Sequence, residues 1–302
     1  MIPVLQQVMS MGIKVAGVFT NPDSQSGRGN KLKQTPVKEF AISVGLDVFT
    51  PLKLARDEER LIRDLGPDLI ILAAYGKLIP ASILEIPRLG CLNVHPSLLP
   101  RHRGASPVAS AILAGDEKGG TSLIRMDEGL DTGPVIAQRE ISIRHGADTP
   151  ELTKELFILG AELLSEVLPE YLTGSIVPSA QSDLGVTVTR RLNKNDGRID
   201  WTKSALVLER ELRAYADWPG SATVWKGRRL QIINATKSDE KVASRPGTIL
   251  QVSMKPFAIG VVTGDGVLQL GNVRLEGRQT MDAVRFARGQ QGFLGSILPN
   301  YE

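Results

Sequence analysis

Apolar residues recur along the first hundred positions in short runs of strand length, separated by stretches of helix length. The runs at 15–20, 69–75 and 90–95 are rich in Val, Ile and Leu, and the longest, 69–75, predicts a buried parallel strand. Between the first two runs, Pro36 begins a predicted helix, and the charged stretch 57–65 has the pattern of an amphipathic helix. Strands that alternate with helices predict an α/β fold with a doubly wound, mainly parallel sheet.

The pattern changes after about residue 100. A predicted helix at 107–114 is followed by two strands, 121–126 and 135–141, which the glycine-containing segment 127–133 joins. A long helix at 149–172 then closes the first half of the chain.

The second half has shorter elements. Residues 174–187 are rich in Ser, Gly and Pro and carry little charge, which is typical of a linker between domains. Beyond them, a helix at 204–215 precedes four short apolar runs separated by turn signals, an arrangement that predicts a small β-barrel. A chain of 302 residues exceeds the about 250–300 of a typical single core. We therefore expect a catalytic domain at 1–173, a linker at 174–187 and a C-terminal domain at 188–302.

Composition narrows the class of protein. The chain is 42% hydrophobic and 23% charged, and no apolar run approaches the roughly 18 residues of a membrane span. The N-terminal sequence does not have the pattern of a signal peptide, and the single cysteine, Cys91, cannot form an internal disulfide. We expect a cytoplasmic protein without membrane contact and, because no feature marks a subunit interface, a monomer.

Charge is distributed unevenly. Residues 1–187 hold 18 Lys and Arg against 22 Asp and Glu, a balance of −4. Residues 188–302 hold the other 18 against 11, a balance of +7, and the two balances add to the net charge of +3. A basic surplus in one half favours an anionic partner, most commonly nucleic acid, with an ordinary basic surface as the alternative.

The densest group of polar side chains follows the run 90–95, where Asn93 and His95 stand two positions apart. On a strand both side chains lie on one face, and at its carboxyl end they lie where open α/β sheets bind ligands. The segment Leu98-Leu-Pro100 beyond them is apolar and irregular, which suits a flat heteroaromatic ligand. For such a pair alone, a hydrogen-bonded core histidine and a turn-forming asparagine are the stronger alternative.

Asp131 favours the catalytic interpretation of Asn93 and His95 over the structural one. It lies between Gly129 and Gly133, and glycine permits positive φ and a close approach of backbone to a ligand. A carboxylate there can orient the His95 imidazole and raise its basicity, as in catalytic triads. A hairpin connection with Asp131 as a turn residue is the alternative, although the segment is long for one.

A metal site built from Cys91, His95, His102 and Asp131 is the competing interpretation. Their spacing fits no common zinc pattern, and prolines interrupt the segment, so we predict no metal. The sequence also has no Gly-x-Gly-x-x-Gly motif after a strand and no P-loop, and no nucleophile elbow surrounds Ser97.

The stretches 93–104, 126–133 and 73–80 together resemble the folate-dependent formyltransferases. The resemblance extends over nearly the whole chain and is strongest to the members that act on initiator methionyl-tRNA. It implies transfer of a formyl group from 10-formyltetrahydrofolate to the α-amine of methionyl-initiator tRNA. It also implies that the second domain is an OB-like β-barrel that binds tRNA.

The resemblance also implies roles for individual residues. Asn93 and His95 would hydrogen-bond the formyl oxygen, while Asp131 orients His95 and an ordered water during proton transfer. The implied tetrahydrofolate pocket consists of Ser97, Leu98, Leu99 and Pro100, with Ala74 and Tyr75 as a second wall. In the polar segment 24–33, which we predict to be a loop, Arg28, Lys31 and Lys33 would contact the acceptor end of the tRNA.

Against the family pattern, the first strand of the sheet is missing from this sequence. Either the true start lies upstream, which we favour, or this is a shortened form, for which we expect poor thermal stability and weak activity. Three alternative functions remain open on the sequence alone. They are formylation of an amino sugar nucleotide, hydrolysis that passes the formyl group to water, and non-catalytic binding of RNA or folate.

Overall fold

The computed structural model describes residues 1–26, 31–238, 240, 242–252 and 258–300. The chain forms two compact units. The N-terminal unit comprises Met1–Pro107, Lys118–Ser142 and Thr153–Thr189, and the C-terminal unit comprises Val108–Glu117, Ile143–Leu152 and Arg190–Glu302. The predicted domain and linker boundaries remain a prediction.

Within the described residues a helix lies near each position predicted above, and the helix at 283–289 was not predicted. In chain order they are α1 (Ile2–Ser10), α2 (Pro36–Ser43), α3 (Arg56–Leu65), α4 (Ala81–Leu84), α5 (Pro107–Ala114), α6 (Thr149–Leu172), α7 (Ala205–Ala214) and α8 (Ala283–Gly289). Local chemistry explains several ends. The Thr35 hydroxyl accepts the Lys38 N–H at 3.2 Å to begin α2, and Gly66, with φ of +58°, ends α3. No helix in the described part of the chain is long and apolar enough to cross a membrane.

The strands of the described residues range from two to eleven residues in length. In chain order they are β1 (Val18–Phe19), β2 (Ser24–Ser26), β3 (Lys31–Lys33), β4 (Val48–Phe49), β5 (Ile70–Leu72), β6 (Cys91–His95), β7 (Arg103–Gly104), β8 (Lys118–Arg125), β9 (Val135–Ser142), β10 (Val188–Thr189), β11 (Ala222–Trp225), β12 (Arg228–Ser238), β13 (Ile249–Gln251), β14 (Ile259–Val262), β15 (Val267–Leu275) and β16 (Met281–Asp282).

The N-terminal unit has its main sheet in the order β5-β6-β8-β9. β5 and β6 are parallel, whereas β6, β8 and β9 pair antiparallel, so this sheet is mixed. β1 and β4 form a separate parallel pair. The polar segment predicted to be a loop instead contains a hairpin, because β2 and β3 pair antiparallel.

Burial in this sheet does not follow apolar sequence alone. β6 is buried except at Asn93, and Leu92 and Val94 pack in a core with Leu123 of β8 and Phe157 of α6. The run 69–75 was predicted to be a buried strand, and that is wrong in extent and burial, since β5 has three residues, all half-exposed. The reason is its position: in the described residues β5 pairs only with β6 and is the edge of the sheet.

The C-terminal unit is built on a six-stranded antiparallel sheet in the order β11-β12-β15-β14-β13, with β16 paired to β15. Register shifts around Asn234 bend β12 where it pairs with β15, and the sheet curls over a core that includes Trp201, Leu230 and Phe293. The four predicted strands are confirmed, and β11 and β16 are additional. Within the described residues the order of strands is open, so the sheet is a curled half-barrel.

Candidate active site

β6 carries the Asn-x-His pair at the carboxyl end of a parallel strand. Asn93 lies opposite Ile124 and His95 opposite Ser122 in the pairing with β8. Alternation along the strand places Leu92 and Val94 in the core, so the two polar side chains share the other face. Asn93 is half-buried, whereas His95 is 4% exposed.

Asp131 meets this pair from the segment that joins β8 to β9. Its Oδ1 accepts the Asn93 side-chain N–H at 3.1 Å, and its Oδ2 lies 3.6 Å from Nδ1 of His95. The backbone N–H of Gly104 donates to the same Oδ2 at 2.9 Å. The structure therefore brings together the three residues that the sequence singled out, 36 and 38 positions apart in the chain.

The glycines near Asp131 allow close packing, and one of them, Gly104, also has a positive φ of +105°. A Cβ on Gly133 would lie 1.9 Å from the Arg125 carbonyl oxygen, and one on Gly104 would lie 2.5 Å from that of Thr189. Asp131 itself also has a positive φ, +53°, a conformation that L-residues rarely adopt. Four non-glycine residues in the described chain have a positive φ, and they include Asp131, His102, whose carbonyl faces His95, and Ala74 of the predicted second wall.

Both ring nitrogens of His95 face protein acceptors. Nε2 lies 3.0 Å from the His102 carbonyl oxygen, and Nδ1 is directed toward the Asp131 carboxylate. Burial lowers the pKa of His95 below its usual 6.5, and it outweighs the Asp131 carboxylate and the His102 carbonyl, which both act to raise it. The imidazole is therefore neutral at pH 7, and with one N–H it serves only one of the two acceptors at a time.

The segment after β6 is held by a buried hydrogen-bond network. The Ser122 hydroxyl donates to the Ser97 carbonyl at 2.6 Å and accepts from the Leu99 N–H at 3.0 Å. The Gln138 amide donates to the Leu99 carbonyl and to the Ser122 hydroxyl, both at 2.8 Å. Ser97 and Leu99 are buried, and Leu98 and Pro100 are half-buried, so hydrogen bonds and burial both hold the segment of the predicted apolar wall.

The predicted second wall lies beyond the neighbouring strand. Because β5 and β6 are parallel, Ala74 and Tyr75 leave the sheet at the same edge as the segment after β6. The Tyr75 carbonyl accepts the Asn21 side-chain N–H at 3.2 Å. The Tyr75 hydroxyl is buried without a hydrogen-bond partner among the described residues. The Lys77 ammonium lies 5.5 Å from the centre of the Tyr75 ring.

The predicted RNA contacts are only partly within the described residues. Arg28 and the side chain of Lys31 lie outside them. Lys33 is exposed on β3. An ion pair of 2.7 Å between Lys38 of α2 and Asp23, just before β2, ties the base of the hairpin to the rest of the unit.

Sequence reasoning missed the residues that support the site. Ser122 and Gln138 belong to no motif, and Gly104 lies in the stretch 93–104 but received no role. Arg103 and Gln181 are 78 positions apart, although the Arg103 guanidinium donates to the Gln181 amide oxygen at 2.7 and 3.0 Å. The pairing of Ser122 with His95 followed only from the register of β6 and β8. Such contacts have no signal in the spacing of residues along a single chain.

The residues of the alternative metal site, Cys91, His95, His102 and Asp131, do not form a group of metal ligands among the described residues. In the part of the chain that is described, no three His, Cys, Asp or Glu side chains are grouped so as to hold a metal ion. The Cys91 thiol is buried, which raises its pKa to about 12, so it is a protonated core side chain at neutral pH.

An Asn on a strand and a buried, neutral His beside a carboxylate are side chains suited to the transfer of a polar group. Such a site offers an N–H donor for a developing oxyanion and a base–carboxylate pair for proton movement, as acyl-type transfer requires. Residues 3–168 match the family described as Formyl transferase, and residues 191–291 match Formyl transferase, C-terminal domain. The chain belongs to the formyl transferase family, and its fold is that family's.

Individual relatives cover both units. "Methionyl-tRNA formyltransferase" of Roseiflexus castenholzii is 42% identical over 95% of this chain and 92% of its own length. The protein of the same name from Myxococcus xanthus is 42% identical over 93% and 89%.

Solved structures share the fold at low identity. HypX from Aquifex aeolicus in complex with tetrahydrofolic acid has a TM-score of 0.61 and 21% identity over 84% of this chain and 45% of its own. WlaRD, a sugar 3N-formyl transferase, has a TM-score of 0.65 and 17% identity over 92% and 94%.

Proposed function

We propose that this protein transfers a formyl group from 10-formyltetrahydrofolate to the α-amine of methionyl-initiator tRNA. The observation that carries the proposal is the 42% identity to a methionyl-tRNA formyltransferase over 95% of the chain. The Asn93, His95 and Asp131 cluster supplies chemistry suited to that reaction. Translation initiation is the process that such a product would serve.

The proposed roles follow from the contacts of the three residues. One N–H of the Asn93 amide is used on Asp131, and the second is available to the formyl oxygen as negative charge develops there. His95 donates to the same oxygen when its ring N–H leaves the His102 carbonyl and bonds the formyl oxygen instead. Asp131 fixes the Asn93 amide and favours a proton on His95, which assists movement of a proton from the attacking amine to the departing folate nitrogen.

The residues present suit a folate donor, which supplies the formyl group bound to a nitrogen that can leave. Leu98, Leu99 and Pro100 offer an apolar surface to its ring system. The unpartnered, buried hydroxyl of Tyr75 offers a polar contact on the opposite side. A metal ion has no part in the proposed reaction.

RNA binding is proposed for two surfaces. The hairpin segment with Arg28, Lys31 and Lys33 is proposed for the acceptor end. In the C-terminal unit, which we propose to be OB-like, Leu230 and Ile232 of β12 are buried. Exposed basic residues lie nearby: Arg229 of β12 and Arg274 of β15 are on the opposite face, Arg228 begins β12 and Arg278 follows β15. Phosphate contacts made by such residues would weaken strongly with added salt.

The decisive experiment supplies 10-formyltetrahydrofolate with methionyl-initiator tRNA and measures formylmethionyl-tRNA and free formate separately. Formylmethionyl-tRNA is the expected product. Formate alone would show a hydrolase, and a formylated amino sugar nucleotide in a parallel reaction would show a sugar enzyme.

The double variant Arg229→Gln with Arg274→Gln tests the proposed RNA surface of the C-terminal unit. It should raise KM for the tRNA without changing KM for the folate, and an unchanged KM for the tRNA would contradict the proposal of this surface.

A further inference from the structure

The side chain of Gln181 connects two segments of the proposed active site. Its amide nitrogen donates to the carbonyl oxygens of Asp131 and Gly133, each at 2.8 Å. Its amide oxygen accepts the two hydrogen bonds from Arg103. Both N–H groups and both lone pairs of the amide are therefore used, so the orientation of this side chain is set from two sides.

These contacts converge on Asp131. Arg103 precedes Gly104 on β7, and the Gly104 N–H donates to the Asp131 carboxylate. Gln181 therefore contacts the backbone of Asp131 with its nitrogen and, through Arg103, contacts the strand that binds the Asp131 carboxylate. Asp131 has a positive φ, and a residue in such a conformation persists only where surrounding contacts impose it. Gln181 supplies two such contacts, one at Asp131 itself and one at Gly133.

The environment of Gln181 argues against a general packing role. Residues 182–186 directly after it are all exposed, and Gln181 is half-buried. No residue of 174–187 belongs to the buried core cluster of the N-terminal unit. The polar contacts of Gln181 are thus directed at the loop of Asp131 rather than at the interior.

We propose that Gln181, oriented by Arg103, is a positioning residue that holds Asp131 against Asn93 and His95 for formyl transfer. This inference rests on the proposed function of that trio. Loss of the amide would let the Asp131 loop relax, which would separate the carboxylate from His95 while the surfaces that bind the substrates stay in place.

The test compares Gln181→Ala with Gln6→Ala, an exposed glutamine of α1 in the same unit. We expect Gln181→Ala to lower kcat by about 10²-fold, the scale of a misplaced catalytic group, with KM for folate and tRNA unchanged. The acid limb of its pH–rate profile should move to lower pH, because His95 loses the carboxylate that raises its pKa. Gln6→Ala should behave as wild type.

Two further variants separate positioning from anchoring. Gln181→Glu keeps the size and the contact with Arg103 but turns an oxygen toward two carbonyl oxygens, so it should not rescue the loss of kcat. Arg103→Lys should give a smaller loss of the same kind, because a lysine cannot donate through the two-nitrogen fork. An unchanged kcat in Gln181→Ala, or a loss confined to melting temperature without a shift of the acid limb, would overturn the inference.

A measurement without turnover keeps this inference distinct from the proposed function. The chain has three histidines, so the ring signals of His95 in a nitrogen-15 NMR titration can be assigned by their loss in His95→Gln. A lower His95 pKa in Gln181→Ala than in wild type supports the positioning role even if no formylmethionyl-tRNA is formed. An identical titration contradicts it even if the proposed reaction is catalysed.

Discussion

The two segments that leave the sheet beside each other, after β5 and after β6, are held very differently. The segment after β6 is fixed through Ser122 and Gln138, and the His102 N–H donates to the Thr187 hydroxyl at 2.8 Å. The segment after β5 is half-exposed or exposed, with Asn21 bonded to the Tyr75 carbonyl and Lys77 bonded to the Pro51 carbonyl.

The difference matches the demands of the proposed chemistry. Donors that stabilise a developing charge must already point at it, since a displacement of about 1 Å can cost 10²-fold in rate. An apolar surface for a flat ring tolerates small displacements. Hydrogen bonds fix the surroundings of His95 and Asp131, whereas the segment after β5 is more exposed.

The largest effect is expected from Asp131→Asn. The Asp131 carboxylate accepts from both Asn93 and Gly104, and an amide has only one oxygen and no charge to offer them and His95. We therefore expect kcat to fall by about 10²–10⁴-fold, the range of acid–base contributions. Formylmethionyl-tRNA synthesis under single-turnover conditions measures the loss. Glu128→Gln, an exposed neighbour in the same loop, is the matched control. A fully active Asp131→Asn enzyme would remove Asp131 from the mechanism.

Ser122→Ala should loosen the wall after β6. The substitution leaves the Ser97 carbonyl, the Leu99 N–H and one Gln138 N–H without their buried partner, at about 1–3 kcal/mol of unfolding free energy. Urea unfolding measures this cost, and KM for the folate should rise with it. Ser43→Ala, whose hydroxyl bonds a helix carbonyl at the surface, should change neither. Equal stability of Ser122→Ala and wild type would show that this wall is not held as described.

Burial of His95 predicts a pH dependence of stability. Its pKa in the folded protein is lowered from 6.5, so below that pH the unfolded chain binds a proton that the folded chain does not. Stability should therefore fall as the pH drops from 6.5 toward the folded pKa. The fall should be smaller in His95→Gln, as read from melting temperatures between pH 5 and 8. Parallel curves for the two proteins would be inconsistent with a lowered pKa.

The smallest effect is expected from Tyr75→Phe in the wall after β5. Its hydroxyl is buried without a partner among the described residues, so its removal should leave stability unchanged or raise it by up to about 1 kcal/mol. KM for the folate should rise if the hydroxyl pairs with the cofactor. A loss of stability in thermal unfolding would instead reveal a partner for this hydroxyl within the protein.

Much of the local structure could be predicted from the pattern of residues. Proline at the start of α2, the Gly-containing turns of the second half and the apolar runs of β12 to β15 are local signals, and the elements they predict are present. The interpretation of β5 as buried was wrong because burial depends on the number of neighbouring strands, and an apolar run carries no information about that number.

The candidate site divides in the same way. Asn93 and His95 could be paired from their spacing alone, because a strand places alternate residues on one face. Asp131 was chosen for its glycines, yet the structure gives the positive φ to Asp131 and uses Gly133 for close contact with the Arg125 carbonyl. The residue types of the candidate site could be predicted from the sequence, whereas the backbone conformation of Asp131 could not.

The sequence by itself determined the α/β character of the first half and the short strands of the second. It also determined the residue types of the trio and the basic surplus of residues 188–302, because periodicity, residue type and charge are properties of the chain. Only the tertiary structure decided that Ser122 lies opposite His95 on the neighbouring strand, and that Gln181 connects Arg103 to Asp131. Those contacts join positions tens of residues apart. They exist because strand register and chain return put specific donors and acceptors within 3 Å, which no local pattern specifies.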